Sequence, residues 1–99
     1  MYAIAVIRYR KPLDEVMKVI DEHRTYLRLL RSMGTLLASG PLDPRHGGAL
    51  LLRLPDDGDP QEAASAIRDG DPYVKEGVAQ YELLLWAPNI GKEELDRLP

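Results

Sequence analysis

The chain has 99 residues, 44% of them hydrophobic, and a net charge of −3 at pH 7. This length predicts a single domain over residues 1–99, with a core over about residues 2–87 and a C-terminal tail over 88–99. The absence of cysteine excludes disulfides, zinc–thiolate sites and thiol nucleophiles. The two histidines, His23 and His46, lack the spacing of metal ligands, so we expect no metal and no other cofactor.

No segment of the sequence resembles a membrane span or a signal peptide. The N-terminal apolar stretch covers residues 2–7 and is followed by Arg8. It is far shorter than the roughly 20 apolar residues that cross a bilayer. We therefore expect a cytoplasmic protein without a membrane partner.

The first half of the chain predicts a strand, a long helix and a second strand. Residues 2–9 are rich in β-branched and aromatic side chains and are apolar on both faces. Residues 13–33 have helical spacing, with His23 in a position of the apolar stripe and Gly34 as the left-handed residue after the helix. Residues 35–39 predict a strand that ends at Gly40-Pro41. The apolar stripe of the helix comprises Leu13, Val16, Ile20, Leu27 and Leu30, widened by Met17, Leu29 and Met33.

The second half predicts a strand, a helix, a short helical turn and a final strand. Residues 49–54 form an apolar third strand. Asp59 before Pro60 is typical of a helix N-terminus. The helix that follows carries Ala63, Ala66 and Ile67 on one side. The same cap signal at Asp71-Pro72 predicts one more turn, followed by a strand over 78–86 and a helical turn over 92–98.

The predicted order β-α-β-β-α-β is that of an α+β, ferredoxin-like fold with an antiparallel sheet and both helices on one face. The first and last strands are apolar on both faces, and the two helices cover only one of them. The economical cover for the second face is the sheet of an identical chain. We therefore expect a homodimer, that is, a dimeric α+β barrel, with the tail over 88–99 near the interface.

Three short motifs resemble the YCII-like family of dimeric α+β barrel proteins. The first is His23-Arg24-Thr25-Tyr26-Leu27, which is similar to the family's His-x-x-Tyr-Leu. The second is Gly40-Pro41-Leu42 after Ser39, and the third is Asp71-Pro72-Tyr73 with Gly77 four residues later. Their order and spacing cover the chain from residue 2 to about residue 86.

The resemblance implies a small-molecule pocket between the helices and the sheet, in which His23 and Asp71 match the family's candidate active-site pair. The chain departs from the family at Ala49, where many members have a serine, so any role of that hydroxyl is absent here or belongs to another residue such as Ser39. The expected substrate contacts are Tyr26, Ser39, Gly40, Pro41 and Tyr73.

His23 and Asp71 also have purely structural interpretations. A histidine on an apolar helix face is often a hydrogen-bonded core residue, and an aspartate before proline caps a helical turn. If Asp71 reaches His23, the carboxylate would fix the tautomer of the ring, and His23 could transfer protons near neutral pH. Both interpretations remain open at the level of the sequence.

Three functions are compatible with this fold order. The first is an enzyme that uses the His/Asp pair for acid–base chemistry on a small organic molecule, as a lyase, isomerase or hydrolase. The second is a non-catalytic module that binds a small metabolite. The third, an RNA-binding domain, is disfavoured because the chain has no Phe, the third strand lacks aromatic residues and the pI is about 5.3, so we expect no nucleic-acid partner.

Overall fold

The computed structural model describes all residues from 1 to 99 and contains one antiparallel sheet of four strands. The order across the sheet is β2-β3-β1-β4, so that β1 and β3 are central. All three pairs of neighbouring strands are antiparallel. The strands are β1 (Tyr2–Tyr9), β2 (Leu36–Pro41), β3 (Gly47–Arg53) and β4 (Ala79–Trp86).

Two helical segments follow β1, two more precede β4, and a fifth lies in the tail. The predicted α+β, ferredoxin-like order is therefore confirmed. None of these helices is long and apolar enough to cross a membrane. The helices are α1 (Leu13–Met17), α2 (Ile20–Ser32), α3 (Pro60–Gly70), α4 (Pro72–Lys75) and α5 (Lys92–Asp96).

The helix predicted over residues 13–33 is interrupted at Lys18 and Val19. The backbone N–H groups of both residues donate to carbonyls three positions earlier, so the chain tightens for one turn. Val16 and His23 are nevertheless buried, and Gly34 has φ +78° as expected for a left-handed helix end. The predicted stripe was too wide, because one of its members and two of the residues that widened it are exposed: Leu13, Leu29 and Met33.

The prediction for α3 was right in its start and wrong in part of its buried face. The Asp59 carboxylate accepts a hydrogen bond from the backbone N–H of Gln61 at 2.9 Å, which confirms the cap. Ala64 is fully buried, whereas Ala66 is exposed. Alanine side chains contribute too little to the hydrophobic pattern for the sequence to decide between these two positions.

The second strand does not end at Gly40-Pro41 as predicted. Both residues continue β2, with Gly40 opposite Ala49 and Pro41 opposite Gly48. Proline is tolerated here because β2 is an edge strand, where the missing N–H interrupts no ladder on the open side.

The two faces of the sheet have different surroundings. The helices cover the face that carries the alternating core residues of the central strands, and this layer continues into α1, α2 and α3. The opposite face, which we call the outer face, carries Ile4, Val6, Leu51 and Leu84, and only its end near Tyr2 is covered by α5. The buried core on the helix face comprises Ala3, Ala5, Ile7, Val16, Leu30, Leu50, Leu52 and Ala64.

Candidate active site

The fold brings His23 of α2 against Asp71, the residue that precedes α4. His23 Nδ1 lies 2.8 Å from Asp71 Oδ1. The imidazole residue is 8% exposed and Asp71 is fully buried. Helical periodicity placed His23 in the cleft between α2 and the sheet, and the structure has it there. The contact joins residues 48 positions apart in the chain, which only the tertiary fold could bring together.

The Asp71 carboxylate accepts three hydrogen bonds in all. Oδ1 also accepts from the backbone N–H of Tyr73 at 2.9 Å, which is the predicted helix cap. Oδ2 accepts from the hydroxyl of Tyr81 on β4 at 2.5 Å. All three groups that contact the carboxylate donate hydrogen bonds to it, and these bonds compensate the cost of burying its charge.

Tyr81 also belongs to the site, although its sequence position predicted only that it lies in a strand. Burial, and next to it the charge of Asp71, raise the pKa of Tyr81 well above its usual value, so its hydroxyl stays protonated and keeps donating. A signal was present in the sequence, since strand alternation directs Tyr81 to the helix-covered face, where a hydroxyl requires a partner.

The ring of His23 is fixed by stacking as well as by hydrogen bonding. Tyr73 lies parallel to it, with ring centroids 3.8 Å apart and an interplanar angle of 4°. Tyr9 contacts the Tyr73 ring edge-on at 6.1 Å. Burial raises the pKa of Tyr73 to about 12, with smaller contributions from Tyr9 and Asp71, so this phenol is neutral around pH 7.

The second nitrogen of the imidazole is left free. Asp71 Oδ1 is an acceptor, so in the neutral ring the proton is on Nδ1 and the lone pair is on Nε2. Nε2 has no hydrogen-bond partner, and yet the structure has no buried side-chain nitrogen or oxygen without one. Nε2 must therefore be reached by solvent, which places a base at the wall of the cavity described next.

His23 lines a cavity of about 180 Å³ between α2 and the sheet. Four of the predicted substrate contacts also line it: Ser39, Gly40, Pro41 and Tyr73. Ser39 is the one Ser or Thr on the wall. It pairs with Leu50 and so lies on the helix-covered face, whereas Ala49 pairs with Val6 of the outer face. Gly47, also on the wall, lies directly against the backbone of β1, because a Cβ at this position would lie 1.9 Å from the carbonyl oxygen of Ile7.

One tyrosine and one histidine of the sequence, Tyr26 and His46, lie outside the wall of this cavity. Tyr26 does not line the cavity, because its hydroxyl donates to the carbonyl of Ile67 at 2.7 Å. His46 is exposed in the loop between β2 and β3 and is also outside the cavity wall. The wall also contains two charged residues that were not predicted as site residues, namely Arg24 and Arg45. The structure has no group of three His, Cys, Asp or Glu side chains that could hold a metal ion.

Comparison with known proteins shows a solved structure with a similar fold and a family whose profile matches this chain. The structure is 5-chloro-2-hydroxyhydroquinone dehydrochlorinase (TftG) from Burkholderia phenoliruptrix, in complex with 2,5-dihydroxybenzoquinone. The TM-score is 0.72 at 17% identity, over 90% of this chain and 96% of that chain, a likeness that shows the fold alone. No curated protein matches the chain. The profile of the YCII-related domain matches residues 1–87, and the chain therefore belongs to the YCII-related family.

Proposed function

We propose that the protein is an enzyme that transfers protons on a small organic molecule, with His23 as the catalytic base and Asp71 as its partner. The observation that carries this proposal is the 2.8 Å contact between His23 Nδ1 and a buried carboxylate, at the wall of a cavity. An imidazole bonded only to a backbone carbonyl would favour simple binding instead. A buried carboxylate adds a negative charge, which stabilises the imidazole ring once it is protonated.

The proposed step begins with His23 Nε2 taking a proton from a C–H or O–H group of the substrate. The ring then holds protons on both nitrogens, and the Asp71 carboxylate stabilises the resulting positive charge. The electron pair left on the substrate expels a leaving group or moves to an adjacent carbonyl. His23 finally returns the proton to the leaving group or to another atom of the product, so the step is balanced without a further reactant. Elimination and isomerisation both fit this scheme.

The size of the cavity and the similar structure support a small organic substrate. A space of about 180 Å³ accommodates a molecule of few heavy atoms, and its wall is nearly half hydrophobic. The similar solved structure is a dehydrochlorinase that holds a quinone of one ring. The Tyr73 ring stacked on one face of His23 leaves the ring edge at Nε2, where the in-plane lone pair lies, as the approach to the base.

The experiment that tests this function is proton exchange in D₂O. Wild-type protein and the His23→Gln variant are incubated with a panel of small hydroxylated and carbonyl compounds, and loss of C–H signal is followed by ¹H NMR. Glutamine matches the size of histidine but cannot act as a base, so His23→Gln should lower exchange by about 10²-fold or more. Exchange that persists in His23→Gln would remove His23 from the reaction. Tight binding without exchange would favour a non-catalytic binding module.

We also propose that the protein pairs with a second copy of itself through the outer face. Leu84 and Trp86 are 45% and 39% exposed there. They continue the apolar surface formed by Ile4 and Leu51. Ile4 is paired with Leu84 on one side and with Leu51 on the other. The tail contacts its own chain, since Arg53 donates to the carbonyls of Leu95 and Leu98 at 2.9 and 2.8 Å.

A further inference from the structure

Two arginine side chains at the cavity have no partner in the protein. Arg24 follows His23 on α2, and Arg45 lies in the loop between β2 and β3; both line the cavity. Of the nine arginines in the chain, six bond to a carboxylate, an amide side chain or a backbone carbonyl. The three without any such contact are Arg24, Arg28 and Arg45. Two of the three free guanidinium groups therefore lie at this one cavity.

The cavity wall contains no acidic side chain that could neutralise them. The nearest carboxylate of the site, Asp71, is fully buried behind His23 and already accepts three hydrogen bonds. A cleft lined by charges of one sign concentrates its electric field and attracts the opposite charge. The electric field of both guanidinium groups also reaches the Tyr73 ring, which stacks on His23. Burial is the main cause of the raised pKa of Tyr73, while Arg45 and Arg24 act to lower that pKa.

We propose that the substrate of this site is a small organic anion whose carboxylate or other oxyanion is bound by Arg24 and Arg45, with its apolar part against Ile20, Leu27 and Leu50. This inference rests on the proposed function for the reacting atom, which lies at His23 Nε2. A planar guanidinium can donate two parallel hydrogen bonds to a carboxylate, so two of them orient the anion as well as attract it. An oxyanion next to the carbon that loses its proton would also have its growing charge stabilised.

Arg28 provides the matched control for this proposal. It lies one turn after Arg24 on the same helix, is exposed and has no partner, but it does not line the His23 cavity. If the arginines of α2 only keep the surface hydrated, Arg24 and Arg28 should be equivalent. If Arg24 binds the substrate, only its replacement should matter.

The test uses pairs of carboxylates and their neutral primary amides, beginning with benzoate and benzamide. Binding is measured by NMR titration of the His23 and Tyr73 ring signals at low salt. We expect the wild-type protein to bind at least one carboxylate about tenfold more tightly than its amide, because a charged hydrogen bond is worth more than a neutral one. Arg24→Gln and Arg45→Gln should each bring the two affinities close together, and Arg28→Gln should leave the preference unchanged.

Two results would overturn the anion site: no carboxylate in the panel binding more tightly than its amide, or Arg28→Gln reducing the preference as much as Arg24→Gln. The same titration in His23→Gln, followed on the Tyr73 ring signals alone, separates this proposal from the proposed chemistry. If the wild-type protein binds carboxylates in an arginine-dependent way but catalyses no proton exchange, the anion site is kept and the enzyme is rejected. Exchange of neutral compounds that is insensitive to Arg24→Gln would keep the enzyme and reject the anion site.

Discussion

Asp71 combines the tasks of a helix cap and of a partner for His23. One oxygen, Oδ1, accepts both from the backbone of Tyr73 and from the imidazole, and the other accepts from Tyr81. The cap fixes the carboxylate relative to α4, and the carboxylate then fixes the ring on α2. The local turn chemistry of Asp71-Pro72 is thus what orients a histidine in a distant part of the sequence.

Replacement of Asp71 by asparagine should separate these two tasks. The amide oxygen can keep the bonds from Tyr73 and His23, and the amide NH₂ can donate to a Tyr81 hydroxyl that has turned around. Asparagine also caps helices about as well as aspartate, so the melting temperature should change little. The positive charge formed on His23 loses its counter-charge, so turnover of a substrate found by the exchange assay should fall by about 10²-fold.

The double variant His23→Gln/Asp71→Asn is the control for this prediction. Residues that act as one unit give non-additive losses, so the double variant should be no slower than His23→Gln alone. A single Asp71→Asn variant with wild-type turnover would leave Asp71 with the capping task only.

The tyrosines around Asp71 should make the fold sensitive to alkaline pH. Burial raises the pKa of Tyr73 to about 12 and also raises that of Tyr26. Between pH 10 and 12 the unfolded chain loses the proton of Tyr73 while the folded chain retains it, and the raised pKa of Tyr26 acts in the same direction. The free energy of unfolding should therefore be full below pH 10 and fall above it. Urea unfolding at pH 9 and pH 11 measures this loss. In Tyr73→Phe the loss should be smaller, and an equal loss would contradict the assignment.

The elements with strong local signals are the ones that the sequence predicted. Asp59 and Asp71 cap their helices, Gly34 ends α2, and the alternation in β1 correctly separates two apolar faces. These features depend on the backbone chemistry of a few consecutive residues. The interruption at Lys18 has no glycine or proline to mark it, and it is compatible with burial of both Val16 and His23, so hydrophobic spacing could not reveal it.

The sequence motifs predicted part of the wall of the His23 cavity. The family motifs identified His23 and Asp71, and four of the five expected contact residues line the cavity. Arg24 and Arg45 were not found because an arginine in an exposed position gives the same sequence signal whether it faces water or the mouth of a cavity. Tyr81 joins this group of residues through its hydrogen bond to Asp71, ten residues earlier, and that contact depends on how β4 packs against α4.

The sheet as a whole has one face buried by helices and one face that is largely apolar without a cover from its own chain. The Arg8–Glu82 ion pair at 3.1 Å lies at one end of the outer face, and α5 at the other, where the Tyr2 hydroxyl donates to Asp96. Between these ends lie the side chains of Ile4, Leu51 and Leu84. An apolar patch framed by polar groups is the usual form of a protein–protein interface.

We expect sedimentation at micromolar concentration to give the mass of a dimer, with the outer faces packed together and well over about 1,000 Å² buried in total. Leu84→Glu places a charge in this interface and should yield monomers. The substitution should cost little stability in the monomer because Leu84 is 45% exposed there. Leu29→Glu is the matched control, since Leu29 is 54% exposed on α2, away from the outer face, and this variant should remain dimeric. A clean monomer mass for the wild-type protein would contradict the pairing, and dissociation caused equally by Leu29→Glu would place the interface elsewhere.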